Sequence, residues 1–399
     1  MNLPIPRKRL AVDVQAFGEM RQSDYLSRFQ VFFERYIFSS RKQFFLSIFL
    51  PLTLIYGATA SWELPQDPDT ITNAVTAWHL GNHLSPFLPG YEKFTAGPQA
   101  SLFFHFVMGH EAAVAQYPPG AALLAAPFYF VASNSMQEVN LSRPSNPEVA
   151  SIKMLLPSFW QATLVAVIST AAAIAFIGLV FLSQGLPKEA WIASWVAGLG
   201  TSAWSIASDM LWQHGPAMLW IAVGLFMAIQ PRWWSSGLAL GAAVLTRPHT
   251  AVIPACLGFA SAFQYRSFAP ILKLGLASFL GVLALLVYNY YVFRSLSVSG
   301  GYGSHFTDNL IDADIMMLAR NLLGGMLDPR VGLLIWSPFL LVLLPGILQG
   351  WRQSDWVLRG AAIGGVIYLL LQFKMNRYRP GYTVPYRYPL EAITAAAPL

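Results

Sequence analysis

Residues 154–182 read MLLPSFWQATLVAVISTAAAIAFIGLVFL and contain no charged side chain. A helix of about 20 apolar residues can cross the hydrocarbon core of a bilayer, so this run predicts a transmembrane helix. The composition agrees with it, because 55% of the 399 residues are hydrophobic and 11% are charged, against about 25% charged residues in soluble domains. We therefore expect an all-α, polytopic membrane protein.

Apolar segments on both sides of this run predict further crossings. They lie at about 43–60, 190–207, 215–229, 271–293, 331–348 and 361–373. Two shorter pieces, 236–246 and 250–263, flank Arg247-Pro248-His249 and would each extend about 17–21 Å as helix, short of the ~30 Å hydrocarbon core. Such half-helices place polar groups beside a cavity within the membrane. With a last apolar segment that begins at Tyr388 and is incomplete at Leu399, we expect about nine or ten transmembrane helices.

The basic residues predict the orientation of the chain. Residues 1–42 carry eight Lys and Arg against four acids, which indicates a basic, amphipathic cytoplasmic segment before a transmembrane domain over residues 43–399. The net charge of +6 is not concentrated on a soluble module, so it indicates topology rather than nucleic-acid binding. The single cysteine, Cys256, excludes a disulfide within the chain and a thiolate metal site.

A large loop is predicted after the first span. Residues 61–116 hold one lysine against five acids, which is typical of an external segment. The apolar run 117–132 is short, and Lys188 is cytoplasmic only if this run lies along the outer surface instead of crossing. We therefore expect one external loop over residues 61–153 that contains interfacial helices.

Two carboxylates stand where the chain leaves the first predicted span. A carboxylate of Asp67 or Asp69 could act as general base on an acceptor hydroxyl, or bind a divalent cation that orients phosphates. Alternatively, Asp69 only caps a helix over residues 70–80. Pro68 biases Asp67 toward an extended backbone outside that helix. Glu63, nearer the membrane, is a weaker candidate.

Further ionisable residues lie at the ends of apolar segments. Asp209 and His214 are predicted at a second external corner, on the same side as Asp69, where they would face water or each other. A guanidinium forks onto phosphate oxygens, so arginines near the interface are candidates for a phosphate site. These arginines are Arg247, Arg377, Arg379 and Arg387. Their alternative role is ordinary contact between a long basic side chain and the membrane interface.

The histidines of the loop do not predict a metal site. His79 and His83 are four residues apart and would share a helix face, but no third ligand is placed beside them. His105 and His110 are expected at the surface of the loop.

Several motifs follow one another in an order that resembles a known family. They are the acidic loop after the first span, Gln116–Pro127 (QYPPGAALLAAP), Asp209–Pro216 (DMLWQHGP), Leu245–Pro248 (LTRP), Asn289–Tyr302, Leu327–Pro338 and Tyr386–Pro389. This order resembles the multipass glycosyltransferases of the GT-C fold, among them the protein O-mannosyltransferases and the lipid A aminoarabinose transferases. The chain departs from their pattern where Asp67-Pro68-Asp69 replaces adjacent acids and where Tyr117 replaces a frequent lysine.

The resemblance implies a sugar donor linked to a polyprenyl phosphate, and an active site on the outer face of a bacterial plasma membrane. It assigns the catalytic base to Asp69 or Asp67, and Asp209 as the second acid of the site. It assigns the donor phosphate to Arg387 or Arg247, with His214 as a further candidate for this phosphate. It assigns no metal ligand, and a divalent cation stays an alternative. The expected activity is transfer of the sugar to an external acceptor. The rival functions are a flippase for a lipid-linked sugar, which would tolerate loss of Asp69, and a degenerate scaffold protein.

Overall fold

The computed structural model describes residues 37–63, 67–96, 105–132, 135–141, 152–311, 314–375 and 387–398. The helices are α1 (Arg41–Thr59), α2 (Pro68–His83), α3 (Gly120–Val131), α4 (Trp160–Leu182), α5 (Pro187–Leu199), α6 (His214–Ala228), α7 (Trp233–Thr246), α8 (Val252–Tyr265), α9 (Ala269–Phe293), α10 (His305–Ile311), α11 (Ile315–Leu327), α12 (Leu333–Trp336), α13 (Phe339–Gln353), α14 (Trp356–Met375) and α15 (Leu390–Ala396). The strands are β1 (Phe106–Met108), β2 (Ala113–Ala115), β3 (Gln137–Leu141) and β4 (Ile152–Leu156).

The chain divides into two compact units, residues 1–44 and 45–399. In the described part of the first unit, the rings of Phe38 and Phe44 are in contact.

Three helices of the described residues, α4, α9 and α14, are long and apolar enough to cross a membrane. Most of α4 is buried among other helices, whereas α9 leaves apolar side chains such as Leu276, Leu280 and Phe279 about half exposed. Apolar surface of this extent is unusual on a soluble protein and suits contact with lipid. The predominantly helical, membrane-type architecture expected from the sequence is therefore confirmed at this coarse level.

The start of the longest apolar run is not helical. Residues Ile152–Leu156 form β4, which pairs with β3 in an antiparallel hairpin that aligns Gln137 with Leu156. Side chains of β4 alternate between buried and exposed positions, as expected for a strand with one covered face. Pro157, which cannot donate a ladder hydrogen bond, follows the strand, and α4 begins at Trp160. The expectation of a helix from Met154 is therefore wrong by about two turns.

The predicted break at Arg247 is present. Helices α7 and α8 have 14 residues each, about 21 Å of helix. Arg247 between them has an extended backbone with φ −144° and ψ 101°. Pro248 explains this conformation, because proline disfavours a helical residue before it and cannot donate a helical hydrogen bond itself.

The segment 331–348 is not one continuous helix, contrary to expectation. Only four of its residues, about one turn, form α12, and the chain then bends at Ser337 before α13 begins at Phe339. Pro338 accounts for the bend by the same steric rule that operates at Arg247. Likewise, the expected crossing over 190–207 consists of α5 followed by a separate π-helical turn over Ala203–Ala207.

The described parts of the loop 61–153 pack on an apolar core that they share with the start of α4. Helices α2 and α3 pack together over this core, to which the hairpins contribute Phe106 from β1 and Met154 from β4. The sequence predicted helices here but neither hairpin. The resulting platform gives the N-terminal end of α2, which carries the candidate carboxylates, a fixed support.

Close backbone contacts join the platform to the helix break. Gly120, the first residue of α3, lies against Thr246, where an added Cβ would approach the Thr246 Cα to 2.6 Å. A second close contact joins α9 to α7, because a Cβ on Gly281 of α9 would collide with the backbone of Gly241 in α7. Small residues allow helices to approach in this way. The loop is thereby held next to Arg247.

Candidate active site

The N-terminus of α2 is organised by Asp67. Its backbone is extended, with φ −92° and ψ 126°, and its carboxylate accepts a hydrogen bond of 3.0 Å from the backbone N–H of Asp69. The extended backbone is the one that Pro68 predicted, and Asp67 is the N-cap. The alternative that Asp69 caps the helix is wrong, because Asp69 lies within the first turn and its side chain points elsewhere.

Asp69 is the centre of a buried hydrogen-bond network. Its Oδ1 accepts from the hydroxyl of Tyr117 at 2.7 Å and from Nε2–H of His105 at 2.9 Å. Its Oδ2 is 3.0 Å from Nη2 of Arg387. Nδ1 of His105 in turn lies 3.0 Å from the side-chain amide of Gln116. The two oxygens of one carboxylate thus have different partners, a hydroxyl and an imidazole N–H on one side and a guanidinium on the other.

Aromatic rings hold the Arg387 guanidinium. Its Cζ lies 4.1 Å from the ring centroid of Trp212 and 5.6 Å from that of Tyr388. Such contacts favour a cation over the face of each ring. Arg387 is 13% exposed, and its buried Nε has no hydrogen-bond partner within the described part of the chain. A buried cationic donor without a partner is a favourable position for an anion.

The same geometry shifts the pKa values of the two carboxylates in opposite directions. Burial raises the pKa of Asp67 to about 6, and the neighbouring charge of Asp69 adds to this effect. Burial alone would also raise the pKa of Asp69, but Arg387 and the hydrogen bonds from His105 and Tyr117 together hold it well below its usual range. Asp69 is consequently ionised near neutrality. The pKa of Tyr117 is raised by burial and by Asp69, so its hydroxyl keeps the proton that it donates.

A second polar cluster surrounds Arg247 at the helix break. Its Nε lies 3.1 Å from Oε1 of Glu391, which also lies 2.9 Å from Nδ1 of His214. Its Nη1 is 3.3 Å from Nε2 of His214, and its Nη2 donates to Oε1 of Gln372 at 3.3 Å. Glu391 is fully buried and Arg247 is 10% exposed. All three guanidinium nitrogens therefore already face polar side chains of the protein.

Aromatic residues border both clusters. The ring of Tyr302 contacts that of Tyr117 at a centroid distance of 5.9 Å, and Tyr302 also interacts electrostatically with Arg247 and Arg387. Tyr388 contacts Arg387 on one side and the ring of His214, at 6.3 Å, on the other. The two clusters are thus neighbours.

Asp209 does not join either cluster in the described structure. Its Oδ1 accepts from the backbone N–H of Ser61 at 2.8 Å and from the Ser61 hydroxyl at 3.0 Å. Of the two alternatives for Asp209 and His214, contact with each other is wrong, because His214 contacts Glu391, while Asp209 is partly exposed. Asp209 instead ties the end of the first helix to the corner before α6, while the adjacent Leu211 carbonyl accepts from Asn73 of α2.

Two histidine expectations have different outcomes. His105 is 6% exposed and contacts Asp69, so its predicted surface position is wrong. His79 and His83 do share a face of α2, with ring centroids 5.5 Å apart. Within the described ranges, no group of three His, Cys, Asp or Glu side chains could hold a metal ion. Arg377 and Arg379 lie outside the described residues.

Sequence reasoning missed four residues of the site. They are His105, Tyr117, Trp212 and Glu391. A signal was present for Glu391, because an ionisable residue in an apolar segment is costly unless it has a partner. The other three carry no local signal that distinguishes them from ordinary loop or helix residues.

Comparisons with protein-family models, with curated proteins and with solved structures find no match to this chain. The chemistry of the site must therefore be argued from its own residues. These residues combine an ionised carboxylate, a guanidinium with an unpaired donor and flanking aromatic rings. Such a set can accept a proton and bind an anion side by side.

Proposed function

We propose that this protein is an inverting membrane glycosyltransferase of the GT-C type. It would transfer a sugar from a polyprenyl-phosphate-linked donor to an acceptor on the extracytoplasmic face of the membrane. The observation that carries the proposal is the 3.0 Å contact between Asp69 and Arg387, since it places a potential base beside a potential phosphate ligand. The apolar helices supply the environment that the lipid tail of such a donor needs.

Each group of the pair has a role in the proposed reaction. Asp69 takes the proton of the acceptor hydroxyl while the acceptor oxygen forms a bond to the anomeric carbon of the sugar. The bond from that carbon to the phosphate oxygen breaks, and the phosphate leaves with the electron pair. Arg387 stabilises the charge that develops on this phosphate. The proton on Asp69 then returns to solvent.

Arg387 suits the phosphate better than Arg247. The Nε of each guanidinium lacks a hydrogen-bond partner among the described residues. That of Arg247 nevertheless lies 3.1 Å from the Glu391 carboxylate, whereas Arg387 contacts its carboxylate through Nη2. We assign a structural role to Arg247 and His214, which would support the site without contacting the phosphate. Asp209, which holds Ser61, would position the loop.

The donor set around Asp69 does not fit a divalent cation. Both carboxylate oxygens face hydrogen-bond donors, and one of these donors is a guanidinium. A cation prefers oxygen ligands and would be repelled by Arg387. No step of the proposed reaction is routed through a metal.

The test is transfer activity of the purified protein with a panel of polyprenyl-phosphate sugars. Asp69→Asn should abolish transfer without weakening donor binding, because the amide is nearly isosteric but cannot act as base. Arg387→Ala should weaken donor binding roughly ten- to hundred-fold, the value of a charge-assisted hydrogen bond.

Glu138→Gln is the matched control, since this carboxylate is exposed and lies 3.8 Å from Nζ of Lys153. Full transfer by Asp69→Asn would contradict the proposal. Movement of a lipid-linked sugar across vesicles by that same variant would favour the flippase instead.

A further inference from the structure

Asp69 and a donor phosphate would need the same cation. In the described structure the only salt bridge of Arg387 is with Oδ2 of Asp69, at 3.0 Å. Stacking on Trp212 at 4.1 Å fixes the plane of the guanidinium, so Arg387 cannot turn freely toward a new partner. A phosphate that binds the unpaired Nε of this guanidinium brings a second anion to a single positive charge, and it therefore competes with the carboxylate for that charge.

The other oxygen of Asp69 has no such rival. Oδ1 is held by the Tyr117 hydroxyl and by Nε2–H of His105, at 2.7 and 2.9 Å. Both residues are at most 8% exposed, and the amide of Gln116 lies 3.0 Å from Nδ1 of His105, on the far side of the ring. The carboxylate would therefore stay in place when Oδ2 loses its cation.

We infer that the donor phosphate competes with Asp69 for Arg387 and thereby frees Oδ2 to accept the proton, while His105 and Tyr117 act as positioning residues that hold Oδ1. The base is restrained in the empty site and released when the donor is bound. Donor binding then precedes proton transfer from the acceptor. This inference rests on the proposed function and adds an order of events to it.

The competition predicts that loss of the Asp69 carboxylate increases the affinity for the phosphate. Removing a carboxylate that occupies Arg387 should tighten binding of the phosphate, so Asp69→Asn should bind undecaprenyl phosphate in detergent roughly tenfold more tightly than the unmodified protein. Glu138→Gln should leave this affinity unchanged. Unchanged or weaker binding by Asp69→Asn would overturn the inference.

A second measurement uses the unmodified protein and does not depend on a variant folding. A carbodiimide modifies protonated carboxyl groups, and mass spectrometry of peptides gives the rate at Asp69. Undecaprenyl phosphate should accelerate this modification, because release from Arg387 makes the carboxyl easier to protonate. A ligand that merely covers the site would slow it, and slower or unchanged modification would overturn the inference.

The positioning role has its own test. His105→Leu should lower kcat at least tenfold with donor affinity unchanged, and His105→Gln, which retains an N–H donor, should recover much of that loss. An equal loss in both variants, or a loss confined to donor affinity, would remove His105 from this role. If undecaprenyl phosphate binds the unmodified protein and the Arg387→Ala variant equally, the proposed function fails. If binding depends on Arg387 but not on Asp69, only the present inference fails.

Discussion

The buried pair of Arg247 and Glu391 should dominate the stability of the site. Glu391→Leu keeps the approximate size of the side chain but leaves the guanidinium, which is 10% exposed, without its anion. Removing one partner of a buried ion pair costs about 3–5 kcal/mol. His214, whose Nδ1 lies 2.9 Å from the same carboxylate oxygen, also loses a hydrogen bond. We therefore expect a loss near the upper end of this range.

A double variant separates the charge from the packing. Arg247→Met combined with Glu391→Leu removes both charges, and apolar replacements of a buried pair are often close to neutral. The double variant should therefore be less destabilised than Glu391→Leu alone, although Gln372 and His214 lose a partner. Glu391→Gln, which keeps a hydrogen-bond acceptor, should lie between Glu391→Leu and the unmodified protein.

The assay is the free energy of unfolding from denaturant titration in mixed micelles, with the same detergent for every variant. Glu138→Gln serves as control and should leave this free energy unchanged. The reasoning is refuted if Glu391→Leu costs less than about 1 kcal/mol. It is also refuted if the double variant loses as much as the two single variants together, because the two charges would then act independently.

Three further predictions concern the loop. Asp67→Asn keeps the helix cap and removes a carboxyl whose pKa is raised to about 6, so it should stabilise the protein at pH 7.5 by on the order of 1 kcal/mol. Its gain in the free energy of unfolding should vanish toward pH 4, where Asp67 is protonated in the folded state. Tyr117→Phe removes a hydrogen bond that lowers the pKa of Asp69, so this pKa should rise. The fall of kcat/KM on the acid side of its pH profile should therefore begin at higher pH. Cysteines placed at Glu138 and Lys188, in a chain without its natural cysteine, should label with an impermeant reagent from opposite sides of the membrane.

Each of these predictions has a contrary result. A stabilisation by Asp67→Asn that is equal at pH 4 and pH 7.5 would not arise from ionisation. An acid limb that stays in place in Tyr117→Phe would mean that Asp69 is not the group titrating in catalysis. Labelling of both new cysteines from one side would mean that α4 does not cross between them.

Two prolines allowed local features of the backbone to be predicted from the sequence. Pro248 ends α7 at Arg247, and Pro68 sets the extended backbone of Asp67, because proline restricts its neighbour whatever the distant context. The strand β4 was missed because its apolar residues run directly into those of α4. Hydrophobic length alone does not distinguish a strand followed by a helix from a longer helix.

The pairing of site residues needed information that the sequence pattern does not contain. Asp69 and Arg387 were each candidates, but their contact joins positions 318 residues apart. His105 was expected at the surface because it lies in a polar loop, and its burial depends on the platform formed around β1. Glu391 could have been suspected from its apolar surroundings, but nothing local identifies Arg247 and His214 as its partners.

The 318-residue separation between Asp69 and Arg387 also has a consequence for biosynthesis. At about 5–20 residues per second, the ribosome adds Arg387 roughly 15–65 s after Asp69. During that interval α2 and its carboxylates already exist, and the guanidinium that balances them does not. Contacts between such distant positions form late and slowly. The platform must therefore persist in a half-assembled form, and chaperones or lipids that shield its acidic end in those seconds would raise the yield of folded protein.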